Sequence, residues 1–359
     1  MIVEIGERIK QARRLRGISQ RALAERVGLS AMAISKYEQG KVTPSSSVLL
    51  RLARALDVRV EFFIRPVLIK EIAPAFRKRS GLRIKEENAL LASIQDWLER
   101  YLEIERILQL EVPKFTYPEG FPYRVVTEED VEAAALALRE AWKLGLDPIE
   151  NMVQLLEDKG IKIGLVEASG NFDACTFLAN VDGNIPVIVV RKGIPGDRMR
   201  FNIAHELGHL LLEAQEGLSS EKAAYRFAGA FLVPEPAVRF ELGNRRRVLD
   251  LYELHLLKHK YGLSMQAWLY RAKDLGILSK SEFQALNRIF RARGWHRKEP
   301  GDAYPPERPT RFERLVTQAL AEEIISERKA AELWGQSVEE FRQKVAKEHG
   351  GLEVGLRYR

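Results

Sequence analysis

The 359-residue chain holds one cysteine, Cys175, so no disulfide can form within it, and that usage suits a reducing compartment. The amino terminus, Met1-Ile-Val-Glu-Ile-Gly-Glu-Arg, lacks the basic start, apolar core and small-residue cleavage site of a signal peptide. No stretch approaches the ~18 uninterrupted apolar residues of a membrane span. No internal repeat and no low-complexity segment is legible. These absences argue against a disulfide scaffold and a membrane protein. They point to a cytoplasmic protein with no membrane partner.

What is present is ordinary for a soluble globular chain: 46% hydrophobic and 30% charged residues. At roughly 100–200 residues per domain, the length predicts two or three domains. The net charge of +7 suits a nucleic-acid partner. The fold class expected is α+β, mostly α. Residues 1–65 read as a five-helix domain, with breaks at Gly17, Gly28, Gly40 and Pro44. Residues 66–126 read as a linker with a basic stretch around Phe76-Arg-Lys-Arg-Ser80. A long helix from about Glu86 to Gln109 is expected to space the two modules. Residues 127–291 read as a helical domain with a small three-stranded sheet. Its helices fall near 128–143 and 148–158 and its strands at Ile161–Val166, Phe172–Val181 and Ile185–Val190, with Asp182-Gly183 as a hairpin signal. A basic, Pro-rich stretch at 292–309 leads to a small helical unit at 310–347.

In the first domain, Ser19 is placed to cap one short helix and Ser30 a second, with Val27-Gly28-Leu29 as the turn between them. That is the sequence form of a helix-turn-helix. The second helix would enter the major groove of double-stranded DNA and present Ser30, Ala31, Met32, Ala33, Ser35 and Lys36. Ala and Met suit thymine methyls, and Lys36 suits a base or a phosphate. Gln20 and Arg21, at the start of the first helix, are expected on phosphates. Residues 1–65 carry about 13 basic against about 6 acidic side chains, the excess that a phosphate-binding face requires. Ser19-Gln-Arg-Ala-Leu-Ala, Gly28-Leu-Ser, Ile34-Ser-Lys-Tyr-Glu-Gln-Gly40, Pro44 and Leu52-Ala-Arg-Ala-Leu56 resemble the Xre (Cro/C1-type) family. That resemblance implies operator binding as a homodimer on paired half-sites.

The segment Phe201-Asn-Ile-Ala-His-Glu-Leu-Gly-His-Leu-Leu-Leu-Glu213 is an apolar helix interrupted at one place. His205 and His209 lie four apart, one turn apart on one face, which suits two nitrogens on a tetrahedral Zn²⁺, with Mn²⁺ as the substitute. Glu206 follows the first histidine and is the expected general base. Gly208 lets another element approach closely. A third ligand is required, and the nearest downstream acids are Glu213, Glu216, Glu221 and Glu235. Glu213 is read on the same helix, one turn past His209. Glu221 opens a separate helix that can present a carboxylate from a new direction. Arg200-Phe-Asn-Ile-Ala-His-Glu-Leu-Gly-His209, Glu221, Ala224, Phe227-Ala228 and Phe231-Leu-Val-Pro234 resemble the ImmA/IrrE metallo-endopeptidase family. The resemblance implies a zincin-like peptidase domain with His205, His209 and Glu221 as ligands and Glu206 as catalytic acid/base. One departure is Ala223, where many relatives have a second glutamate.

The pair His255 and His259 has no adjacent glutamate and reads as structural, and Cys175 reads as a plain strand residue. Ser326-Glu-Arg-Lys-Ala-Ala-Glu-Leu-Trp-Gly-Gln-Ser resembles a small helix-turn-helix or antitoxin-like segment. A helical cap or partner-docking unit is the preferred reading of it. The two resemblances together imply a DNA-binding regulator with a zinc endopeptidase acting on a protein substrate, a repressor or antitoxin-type regulator, so derepressing stress or mobile-element genes. The alternative is a non-catalytic transcription factor that uses the zinc fold as a sensory or structural domain.

Overall fold

The computed structural model describes residues 4–69, 82–109, 111–181 and 183–349. The expected stretch around Phe76 and the hairpin residue Asp182 lie outside these. The chain divides into two compact units. One gathers the N-terminal segment, Asn88–Val112 and the C-terminal segment from Pro309; the other is built on Pro113–Arg308.

The first unit begins with four helices, α1 (Ile5–Leu15), α2 (Gln20–Val27), α3 (Ala31–Glu38) and α4 (Ser46–Leu56), and a 3-10 turn at Val60–Ile64. Serine caps start three of them: the side chains of Ser19, Ser30 and Ser45 accept from the amides of Ala22, Ala33 and Val48. Gly28 closes α2 at φ +66, a left-handed conformation that suits glycine. Ile9, Ala12, Leu23, Ala24, Ile34, Leu52 and Leu56 form the core. The long helix α5 (Ile84–Ile107) packs into this same unit instead of standing free as a spacer. Its Glu99 is buried, paired with buried Arg8, and accepts from the amides of Leu68 (3.2 Å) and Ile69 (3.3 Å).

The second unit starts with β1 (Tyr123–Val125), α6 (Glu128–Ala141) and α7 (Met152–Asp158). Helix α7 begins later than the expected 148, because Asn151 caps it and the Arg139 guanidinium holds the preceding turn through the carbonyls of Gly145 (2.8 Å) and Asp147. Strands β2 (Lys162–Val166), β3 (Ala174–Asn180) and β4 (Asn184–Arg191) form a sheet in the order β2-β4-β3, with β2 parallel and β3 antiparallel to β4. Then come α8 (Gly196–Leu211), β5 (Leu212–Ala214), α9 (Ser220–Leu232), α10 (Glu235–Leu242), α11 (Leu251–Tyr261), α12 (Met265–Asp274) and α13 (Lys280–Ala292). One difference from expectation matters for the site. The helix does not run on to Glu213: it ends at Leu211, and residues 212–214 pair in parallel with β1. Glu213 then sits half-exposed opposite Arg124, 3.5 Å away.

The chain ends in α14 (Arg311–Ala321), α15 (Glu327–Trp334) and α16 (Val338–His349), whose Leu315, Val316, Ala319, Ala330, Ala331, Leu333 and Phe341 close over Tyr101 and Ile104 of α5. An internal repeat, not legible in the sequence, appears here. Helices α14, α15 and α16 reproduce the order of α1, α2 and α3 in register. The serine caps Ser19 and Ser30 become Ser326 and Ser337, and the left-handed Gly28 becomes Gly335. Buried Ile9, Ala12, Ala24 and Ile34 become buried Val316, Ala319, Ala331 and Phe341. The crossing of first and third helices differs. A Cβ on Gly6 would lie 2.3 Å from the Tyr37 carbonyl oxygen, whereas the matching positions Glu313 and Lys344 meet as an ion pair at 3.3 Å.

Candidate metal centre and DNA-facing surface

The first turn of α8 is anchored by buried charge. Arg200 is fully buried, pairs with Glu307 and donates to the Ile149 carbonyl at 2.7 Å. Buried Lys258 lies between Asp197 (3.5 Å) and Glu299 (3.1 Å), and Glu299 also accepts from the amides of Met265 and Gln266. The Pro-rich stretch thus returns to brace the start of α8, and nothing in the sequence spacing marks Glu299 or Glu307 for that work.

One to two turns further along α8 the histidine rings face each other, with Nε2 atoms 3.1 Å apart. Glu221, from the start of α9, reaches both: its oxygens lie 3.4 Å from His205 Nε2 and 3.3 Å from His209 Nε2. Bonds of about 2.0–2.1 Å to a tetrahedral ion put neighbouring ligand atoms about 3.3 Å apart. The three edges of this donor triangle match that spacing, and two imidazoles with a carboxylate are the donor chemistry such an ion takes. The residues fit a divalent metal. The alternatives Glu213 and Glu235 are turned to arginines, Arg124 and Arg239. Ala223 is buried in the core, so a glutamate there would point away from the triangle in this chain.

Glu206, between the histidines, is nearly wholly buried. Tyr225, one turn after Glu221, lays its ring 4.3 Å from that of His205. Burial, then the nearby carboxylates Glu221, Asp173 and Glu206, raise its phenol's pKa, so it stays protonated at neutral pH. Helix α9 is held by a second charged clasp, in which Arg226 and Arg271 converge on Glu132 of α6 at 2.5 and 2.6 Å. Burial works against that carboxylate, but the two guanidinium groups hold its pKa below the usual range.

Gly208 sets the approach of α8 to α9. A Cβ there would lie 3.1 Å from the Phe227 ring and 3.2 Å from Ala224 Cα. Gly208→Val is expected to cost about 1–3 kcal/mol by overpacking and to weaken metal binding as Glu221 is pushed outward. Thermal unfolding and a metal titration check this; unchanged values for both would contradict the packing account.

His255 and His259 have ring centroids 4.6 Å apart, and His259 Nε2 lies 3.3 Å from the Asp302 carbonyl. No third ligand joins them among the described residues. Cys175 is buried in β3.

On the helix-turn-helix, Ala31, Met32 and Lys36 are exposed on α3, with Met32 at 68%. Ala33 and Ser35 are half-buried. The Ser30 oxygen caps the Ala33 amide, and Ser35 binds Gln39 at 3.0 Å. Arg21 projects from α2 beside Glu25. Gln20 differs from expectation: its amide turns inward and donates to Glu38 at 2.8 Å, beside Arg13. Buried Glu38 supplies an anchor that the outward reading of Gln20 overlooked, leaving the backbone N–H groups of the α2 start to face a phosphate.

Residues 9–63 match the helix-turn-helix family model, and residues 165–273 match that of the IrrE N-terminal-like domain. The chain is 39% identical over 59 residues to a transcriptional regulator in the ATPase CF(0) region of Rhodospirillum rubrum, covering 16% of this chain and 55% of that one. It is 42% identical over 62 residues to the HTH-type transcriptional regulator PuuR of Escherichia coli, covering 17% and 34%. An HTH-type transcriptional regulatory protein of Pyrococcus furiosus is 30% identical over 131 residues, covering 36% of each chain. The chain thus spans about half the length or less of these relatives. No described helix is long and apolar enough to cross a membrane. One chain therefore joins a helix-turn-helix to an IrrE N-terminal-like domain.

Proposed function

We propose that this protein is a DNA-binding transcriptional regulator whose IrrE-like domain is a zinc-dependent endopeptidase. Its substrate is another regulator, a repressor or antitoxin, whose cleavage derepresses stress or mobile-element genes. The observation that carries the catalytic half is the donor triangle of His205, His209 and Glu221 with buried Glu206 in the turn between the histidines. A zinc ion held by these three residues supplies Lewis acidity, polarising a peptide carbonyl and acidifying water. Glu206 takes a proton from the attacking water as its oxygen bonds to the carbonyl carbon. It then passes that proton to the departing amide nitrogen as the C–N bond breaks. The test is to incubate wild type and Glu206→Gln with Zn²⁺ and the regulators encoded beside the gene, and to identify fragments by mass spectrometry. Cuts made by wild type alone support the reading. No cut in any of them, with metal bound and operator DNA present, overturns it.

The DNA half rests on the exposed tip of α3 and the basic excess of residues 1–65. A homodimer on half-sites about one helical turn apart is the expected complex. Lys36→Ala is expected to reduce the slope of log affinity against log salt by about 1, as loss of one phosphate contact requires. Met32→Glu should abolish binding. Fluorescence anisotropy on a duplex selected from a random pool measures both, and salt-insensitive binding would argue against this surface.

A further inference from the structure

Strand β3 has β4 on one side and no strand among the described residues on the other. The ladder fixes which of its groups face outward. Arg191 N donates to Asp173 O, and Val181 N donates to Gly183 O, each at 2.9 Å. Hydrogen-bonded pairs recur at every second residue of an antiparallel ladder. Asp173, Cys175, Phe177, Ala179 and Val181 therefore spend their amides and carbonyls on β4. Ala174, Thr176, Leu178 and Asn180 turn theirs to the open edge. Pro186 checks the register independently, since it lies opposite Leu178, where no N–H toward β3 is called for. The other edge strand, β2, is largely buried, whereas Leu178 and Asn180 are exposed.

The open edge leads to the metal centre. Strand β3 packs beside α8, and Asp173, just before its first residue, is gripped by Arg198 of α8 at 2.6 Å and by Arg191 at 3.0 Å. A row of unspent backbone groups is a template for another extended chain. We propose that the open edge of β3, Ala174 to Asn180, is the docking strand for the polypeptide substrate, which adds to the sheet as a fourth, extended strand. This rests on the endopeptidase reading and narrows its substrate class. The segment cut is unfolded, runs extended for about the length of β3, and is recognised first through its backbone. Helical or tightly folded segments do not fit the edge.

The probe is reduced, carboxymethylated α-lactalbumin, a permanently unfolded polypeptide, mixed with zinc-loaded Glu206→Gln protein. Amide hydrogen exchange is expected to slow at least tenfold at Thr176 and Leu178, with little change at Cys175 and Phe177. Leu178→Pro removes one outward N–H and leaves the β4 ladder intact. It is expected to weaken binding of the probe at least tenfold with zinc content and thermal midpoint held. Leu178→Ala keeps the N–H and should bind as wild type does, which separates backbone docking from lost side-chain contact. Protection of these amides without cleavage by the wild-type protein would sustain the docking strand and count against the peptidase. No protection of Thr176 and Leu178, with or without cleavage, overturns the docking strand.

Discussion

Glu206→Gln is expected to lower the rate of peptide hydrolysis by about a hundred- to ten-thousandfold, the range that a positioned general base contributes. The zinc content should be unchanged, because Glu206 is not one of the three residues in the donor triangle. The amide fills the same buried space but cannot take a proton from water. Glu221→Ala is the contrast. It removes one edge-forming ligand and is expected to lose metal and activity together, as is His205→Ala. Measuring kcat beside metal content by mass spectrometry separates the two classes. A Glu206→Gln protein that cleaves at the wild-type rate would remove Glu206 from the chemistry and with it the proposed mechanism.

The second large effect is on stability. Arg8 and Glu99 are both almost fully buried, and Glu99 serves as acceptor for Arg8 and for two backbone amides. Removing one member of a buried pair leaves the other charge uncompensated, at a cost of about 3–5 kcal/mol. Glu99→Ala is therefore expected to destabilise the first unit by that amount, a large share of the roughly 5–15 kcal/mol that holds a domain together. Glu99→Gln should cost less, since its carbonyl oxygen still accepts from Leu68 and Ile69. Replacing both partners, Arg8→Met with Glu99→Met, should recover much of the loss. Urea unfolding followed by loss of DNA binding reads out all three. A Glu99→Ala change under about 1 kcal/mol would mean that the pair is solvated or dispensable.

The sequence carried what is local. Ser19, Gly28 and Ser30 announce their caps and turn within a few residues, and His205, Glu206 and His209 fall on one helical face by spacing alone. What it hid depends on distant partners. Glu213 follows Leu210-Leu-Leu with no glycine or proline to end the helix, and only pairing with Tyr123–Val125 turns that segment into a strand. The inward turn of Gln20 needs Glu38 buried two helices away. Glu299 and Glu307 look like solvated charges in a Pro-rich stretch until Lys258 and Arg200 are seen beneath them. The repeat escaped notice because its two copies share caps and small core residues, while their exposed residues diverge: Met32 and Ala33 correspond to Glu339 and Glu340.

The first unit is assembled from both halves of the chain, and that has a consequence for its biosynthesis. The second unit is built on one continuous stretch, Pro113–Arg308, and can fold as it leaves the ribosome. The apolar face of α5 cannot be covered so early, since Tyr101 and Ile104 are buried by residues as late as Phe341. At about 5–20 residues per second, translation leaves that face waiting for about ten to fifty seconds. During this interval the helix-turn-helix lacks its C-terminal counterpart, and the nascent chain presents exposed apolar surface of the kind chaperones bind. Truncated products ending near residue 308 should therefore be captured by chaperones or degraded, even though the helix-turn-helix and the metal-site residues are already present in them.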